Sequence, residues 1–310
     1  MDFGESAFGV TVASNKVKCP FKLTGPEVSK LEPEHPPDDD KPRAQSIQAN
    51  NGGKLGDNLG DTSPGCDGAA GTVNDVKRPP KRRKGDPKSG YANLEASVDT
   101  KGTMKPFPVK VAAHHLIPGN ASLKTATELR KFMEKNKTVT SDKGKSLKIK
   151  EHIGYNINGA HNGVWLPGNY AIRTKSSPKK NTSWSGLVDA NEWKAWCYDY
   201  MLEATRVAGG QFHDTHETYS ANVLKFLEKT SDKLFEHLDD CDDCAGDADG
   251  KIYPPYFLKN YLYALSGALR TKCKVKPPRI RFPWCTSDKF SERMADQGHA
   301  GDARGFTSAF

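Results

Sequence analysis

Apolar residues are unevenly spread along this 310-residue chain, and that imbalance limits where a core can form. From residue 20 to about 100 the chain is rich in Pro, Gly, Asp and Asn and lacks an apolar period, as in LEPEHPPDDDKPRAQSIQANNGGKLGDNLGDTSPGCDGAAG. Such a stretch buries too little surface to offset its ordering entropy, about 1–2 kcal/mol per residue for the backbone alone. Beyond Val109 the apolar residues become dense and periodic. The expected division is therefore 1–104, a largely disordered linker or targeting region; 105–240, a folded domain; and 241–310, a cysteine-containing extension.

Within the folded part, VKVAAHHLIP is rich in β-branched and apolar residues and stops at Pro118, which predicts a strand. Asn120 and Ser122 are plausible caps for a helix from Leu123 to Lys135. The basic segment 137–150 reads as a loop or short hairpin, and Val164 to Leu166 as a short strand. Three further helices are predicted: 185–207, 215–238 with an i, i+3, i+4 stripe through Tyr219, Val223, Phe226, Leu227, Leu234 and Phe235, and 256–269.

Histidines carry the candidate chemistry. His114 and His115 are adjacent at the end of the predicted strand, where alternation points them to opposite faces unless the strand ends there. His213 and His216, three apart in QFHDTHETY, share a face if they open a helix. Neutral imidazole suits both metal ligation and general-base work. His152, His161 and His237 lack such a context and read as surface or structural residues.

The order AHHLIP, NGVWLP, HDTHETY, with the last opening an apolar helix, resembles the AHH family of the HNH/endonuclease VII superfamily, a group of predicted nuclease toxins. The resemblance spans roughly Val109 to Leu238. It implies an α+β fold, with a ββα-metal (His-Me finger) core embedded in a mainly helical domain. By position it makes His114 the first-strand metal ligand and His115 the general base. Asn162 becomes the middle Asn, which holds the loop orienting the base or sits near the metal. His213 and His216 complete the metal site, or one of them contacts the scissile phosphate; Tyr219 is support. Two departures from the family pattern stand out. The stretch between NGVWLP and HDTHETY is long and holds an inserted helix, and His213 precedes the clearest cap, Thr215.

The implied activity is metal-dependent hydrolysis of phosphodiester bonds in nucleic acid, DNA favoured over RNA, with Mg, Mn or Zn at the site. The implied role is a secreted antibacterial effector paired with a cognate immunity protein and delivered with an adaptor or carrier, type VI secretion being one route. The start MDFGESAFGVTVASNKVKCP has acidic residues where a Sec signal needs basic ones, so export without one is expected. Action would then be in the target-cell cytoplasm, or the nucleus of a eukaryotic target. No apolar run is long enough for a membrane span.

A net charge of +8 favours polyanionic partners. Lys148, Lys150, Arg173 and Lys175 are candidate backbone contacts, alongside Lys143, Lys145, Lys179 and Lys180. The run from Lys77 to Lys88 reads as nucleic-acid contact, nuclear import signal or solvated linker. Cys241, Cys244, Cys273 and Cys285 suit a structural zinc, with disulfides or unlinked thiols as rivals. The functional alternative to a nuclease is a non-catalytic zinc and nucleic-acid-binding module.

Overall fold

The computed structural model describes residues 50–60, 71–73, 107–169, 194–240, 249–275 and 284–296. The Lys77–Lys88 run, Arg173, Lys175, Lys179, Lys180, Cys241 and Cys244 lie outside the described residues. Helix and strand are mixed: α1 Gly52–Leu59, β1 Gly71–Val73, β2 Phe107–His115, α2 Thr127–Lys131, β3 Thr138–Thr140, β4 Ser146–Ile149, β5 Gly163–Gly168, α3 Lys194–Ala208, α4 Glu217–Asp240, β6 Lys251–Ile252, α5 Phe257–Cys273 and α6 Asp288–Asp296. Among the described residues no helix is long and apolar enough to cross a membrane. The chain forms two compact units. Among the described residues, one holds 50–51, 115–162, 220–240 and 249–268; the other holds the rest.

The first unit carries a three-stranded sheet ordered β3-β4-β6. The basic segment 137–150 is a hairpin: β3 and β4 pair antiparallel with Val139 opposite Leu147, and Gly144 at φ 79° makes the reversal. A left-handed backbone costs glycine little because it has no Cβ. β4 also pairs in parallel with β6. The helix expected over 123–135 does not form as one element. The amides of Ser122 and Leu123 both donate to the Pro118 carbonyl, giving a wide turn over Gly119–Leu123. The Ser122 hydroxyl donates to the Ser220 carbonyl and so caps nothing. Only Thr127–Lys131 is α-helical. Of the predicted stripe of α4, Val223, Leu227 and Leu234 are buried, and Phe235 meets Phe132 with ring centroids 4.8 Å apart.

The second unit is built on the sheet β1-β2-β5. β1 pairs antiparallel with β2, Thr72 opposite Pro108. Helix α3 packs on β1, β5 and α6. This is the inserted helix, and it fills the core: Trp196, Cys197, Tyr200, Met201 and Ala204 are buried with Val109, Phe212, Cys285, Phe290 and Met294. The segment 20–100, read as an unpacked linker, contributes both α1 and β1. Its sparse apolar residues are placed well, since Leu55 and Leu59 sit four apart and both are buried. Two leucines on one face suffice to dock a two-turn helix, which composition averaged over 80 residues conceals. Helix α6, also unanticipated, belongs to this unit, as does the C-terminal end of α5.

Candidate metal centre

Three histidines from separate stretches of chain meet in the second unit. β2 delivers His114, which is only 2% exposed. His213 is placed by strand pairing: it bridges in parallel with Gly168, and its amide donates to the Pro167 carbonyl at 2.7 Å. His216 immediately precedes the first residue of α4. The helix thus starts at Glu217, and neither His213 nor His216 lies on it; their approach comes from the loop.

That loop is tied at every turn. Gly209 and Gly210 adopt φ 81° and 70°, reversing the chain after α3. A Cβ on Gly210 would lie 3.0 Å from the Leu166 Cδ2 and 3.3 Å from the Cys273 carbonyl oxygen. The Gln211 amide group donates to the Lys272 and Trp284 carbonyls at 2.9 and 3.0 Å, and its oxygen accepts from the Thr286 amide at 2.9 Å. Phe212 is buried in the aromatic core, and its carbonyl accepts from the Thr286 hydroxyl. The Asp214 amide donates to the Thr286 carbonyl at 3.0 Å. Asp288 closes the set: its amide donates to the Thr215 carbonyl at 2.8 Å, while its Oδ2 accepts from the Glu217 amide at 2.7 Å. The second of these caps α4, because the first amides of a helix have no partner within it.

The ring centroids of His114 lie 4.9 Å from those of both His213 and His216, and the latter two are 5.4 Å apart. One nitrogen from each ring lies within 4.8 Å of the others, so the three could hold a metal ion. Metal–nitrogen bonds of about 2.0–2.1 Å set nitrogens roughly 3–4 Å apart, so small ring rotations would close the set. Burial pushes the His216 pKa down, against a weaker opposing pull from its own backbone and from Asp288. The neutral ring is the form that binds metal. Three neutral ligands also leave coordination positions open.

Tyr219 backs the cluster, fully buried, 5.4 Å from the His114 ring and 5.6 Å from the His216 ring. It hydrogen-bonds Cys273 and stacks edge-on against Trp284 at 6.2 Å. Burial raises the Cys273 thiol to about 12 and the Cys285 thiol to about 11, so both keep their protons at neutral pH. A zinc ion would have to displace both protons.

His115, the last residue of β2, belongs to the first unit and is 8% exposed. Its Nε2 lies 2.9 Å from the Asn158 Oδ1, and burial lowers its pKa, which keeps the ring neutral at pH 7. Asn162 is fully buried and ties loop backbone: Oδ1 accepts from the Ile117 amide at 2.8 Å and from the Ser266 hydroxyl at 3.1 Å, while Nδ2 donates to the Ile117 and Ile157 carbonyls. Asn158, which touches His115, was not singled out in the sequence. IGYNINGAHNG offers three asparagines, and nothing in their spacing separates them.

The remaining candidates are scattered. The His161 ring packs between Tyr155 and Tyr263 at 5.1 and 4.2 Å, a structural setting. His152 accepts from the Lys135 amide through Nδ1. Lys148 is exposed on β4, and the Lys150 ammonium sits 4.5 Å above the Tyr253 ring. Lys143 pairs with Asp240, and Lys145 donates to the Leu238 carbonyl.

Residues 96–237 match the family model of AHH, a nuclease family of the HNH/ENDO VII superfamily with conserved AHH. This is the family that the motif order AHHLIP, NGVWLP, HDTHETY implied, and the matched segment contains all three clustered histidines. No curated protein and no solved structure matches the chain.

Proposed function

Given a nuclease family match over the segment that carries the three histidines, we propose that this protein is a metal-dependent endonuclease that hydrolyses phosphodiester bonds in nucleic acid. A nuclease family implies a nucleic-acid substrate, and its superfamily uses divalent metals. The observation that carries the reading is the meeting of His114, His213 and His216, ligand atoms within 4.8 Å, from motifs a hundred residues apart in sequence. Chance rarely gathers three imidazoles on a tightly tied loop and a strand end.

His114, His213 and His216 would hold the ion. Once bound, it supplies a Lewis acid that offsets charge on the phosphate and on the leaving oxygen. Three nitrogens are a softer set than the oxygens magnesium prefers, which favours zinc over magnesium. By the motif order His115 is the base that takes the proton of the attacking water, and its neutral ring at pH 7 suits that task. Asn162 holds the loop that follows the strand. DNA is the favoured substrate, with the net charge of +8 and exposed lysines such as Lys148 drawing the backbone without reading sequence. A role as a secreted toxin with an immunity partner rests on the resemblance to predicted nuclease toxins.

The test is plasmid cleavage by purified protein with Mg²⁺, Mn²⁺, Zn²⁺ or EDTA, wild type beside His115→Ala. Cutting that needs metal and falls about 100- to 10,000-fold in the variant supports the reading. Cutting that survives EDTA would refute metal dependence. Failure on DNA with success on RNA would change the substrate, and failure on both would leave only a binding module.

A further inference from the structure

The holder of His115 reaches into a part of the chain beyond the family match. We propose that Asn158, itself fixed by the backbone amide of Asn51, is a positioning residue that locks His115 in the Nε2–H tautomer and leaves Nδ1 as its lone pair. The consequence for catalysis rests on the reading of His115 as the base; the tautomer does not.

The argument is one of donors and acceptors. Two contacts converge on a single atom of Asn158: the His115 Nε2 at 2.9 Å and the Asn51 backbone amide at 2.8 Å. A backbone N–H can only donate, so the atom it meets must accept, and in an amide side chain only the oxygen does so. This removes the usual ambiguity between the oxygen and nitrogen of an Asn. With oxygen there, the imidazole nitrogen facing it must bear the hydrogen. A neutral ring carries one, so Nδ1 is bare. Which nitrogen of a histidine is protonated is set in this way by the bond the other one makes.

The holder is itself braced. The Asn158 amide donates to the Asn156 Oδ1 at 3.0 Å, which sets the backbone from which the side chain springs. The Asn50 Oδ1 accepts from the Gly119 amide at 2.7 Å, which anchors the Asn50–Asn51 pair two residues beyond AHHLI. All these residues lie in the first unit, and His115 and Asn158 are both buried. The family match begins at residue 96, so Asn50 and Asn51 are additions of this chain's own N-terminal region.

The test uses the full-length protein with ¹⁵N-labelled histidine and long-range ¹H–¹⁵N correlation in EDTA. Wild type is expected to show a protonated Nε2 and an unprotonated Nδ1 for His115. Asn158→Leu should give a mixture of tautomers. Asn158→Asp keeps an acceptor in place and should restore Nε2–H. Asn51→Pro removes the amide hydrogen and should loosen the preference even if the leucine variant fails to fold. An Nδ1–H tautomer in wild type, or a spectrum unchanged in Asn158→Leu and Asn51→Pro, overturns the proposal. Plasmid cleavage with the activating metal gives the second readout. Asn158→Leu should cut at least about tenfold more slowly, a part of the ~100- to 10,000-fold that a positioned base supplies, and Asn158→Asp should recover most of it. Full activity in His115→Ala would sink the base assignment, while the spectra would still decide the tautomer.

Discussion

A helix of eight residues, α1, docks where the composition promises only linker, and its contact with β5 can be put to a quantitative test. Leu55 is 0% exposed, so Leu55→Ala should destabilise the fold by about 2–5 kcal/mol, the range for emptying a buried leucine site. Gly163 opens β5 directly beneath it. A Cβ there would fall 2.7 Å from the Leu55 Cδ1 and 2.9 and 3.0 Å from the two Leu59 methyl carbons. Carbon atoms pack best at about 3.5–4.0 Å, so Gly163→Ala forces both leucines to give way and should cost about 1–3 kcal/mol. The two changes compensate. Leu55→Ala removes the atom nearest the new methyl and leaves space into which Leu59 can swing. The double variant should therefore be more stable than the sum of the single ones predicts, by about 1–2 kcal/mol, inside the 0.5–3 kcal/mol seen for residues in contact. Urea titrations of the four proteins, compared at unchanged slope, measure the cycle. Additivity within about 0.5 kcal/mol, or single changes each below about 0.5 kcal/mol, would mean that α1 does not pack on β5.

Other perturbations test the site. Replacing His114, His213 or His216 singly by Ala should abolish stoichiometric Mn²⁺ or Zn²⁺ binding in calorimetry, whereas His161→Phe, in its tyrosine cluster, should leave it intact. Because burial lowers the His115 pKa, the base stays deprotonated to a lower pH than an ordinary imidazole; the acid limb of kcat/KM should then lie below pH 6.5, and a limb above 6.5 would contradict the burial seen. With thiols raised to about 12 and 11, Cys273 and Cys285 should resist iodoacetamide at pH 8 in the folded protein and react once it is unfolded in urea. Asp288→Ala removes the acceptor that caps α4 and should cost about 0.5–2 kcal/mol in thermal or urea denaturation, with metal affinity weakened although Asp288 is no ligand.

What could be read from the sequence follows from the range of each signal. The stripe through Val223, Leu227 and Leu234 and the apolar run after Val109 are local patterns, and they appear as α4 and β2. The three histidines were legible as a set only through motif order, since no spacing ties His114 to residues a hundred positions later. The helix expected over 123–135 had the right apolar period, but backbone amides converging on the Pro118 carbonyl won over it. α1 was hidden because Leu55 and Leu59 stand alone among glycine and asparagine; their burial depends on β5, which lies a hundred residues on. Asn158 was hidden for a different reason. Its role is one of two hydrogen bonds, and any of the neighbouring asparagines has the same atoms to offer.

The same distinction bears on the C-terminal residues, which the sequence suggested were an extension stapled by zinc. Ligands on a loop bind metal weakly unless the loop is ordered beforehand, because the ordering cost is subtracted from the binding energy. The loop from Gly209 to His216 meets that cost with fixed bonds, and most of them end on residues 272–288: the Cys273 carbonyl on the Gln211 amide, Lys272 and Trp284 on the Gln211 side chain, Thr286 on Phe212 and Asp214, and Asp288 on Thr215. None of these partners falls within residues 96–237. The matched segment thus supplies the histidines, while chain beyond it supplies the anchorage, and both sit in one compact unit. A fragment cut at the end of the family match would keep the three imidazoles and the His213–Pro167 bond, but lose the bonds from residues 272–288 that order the rest of the loop.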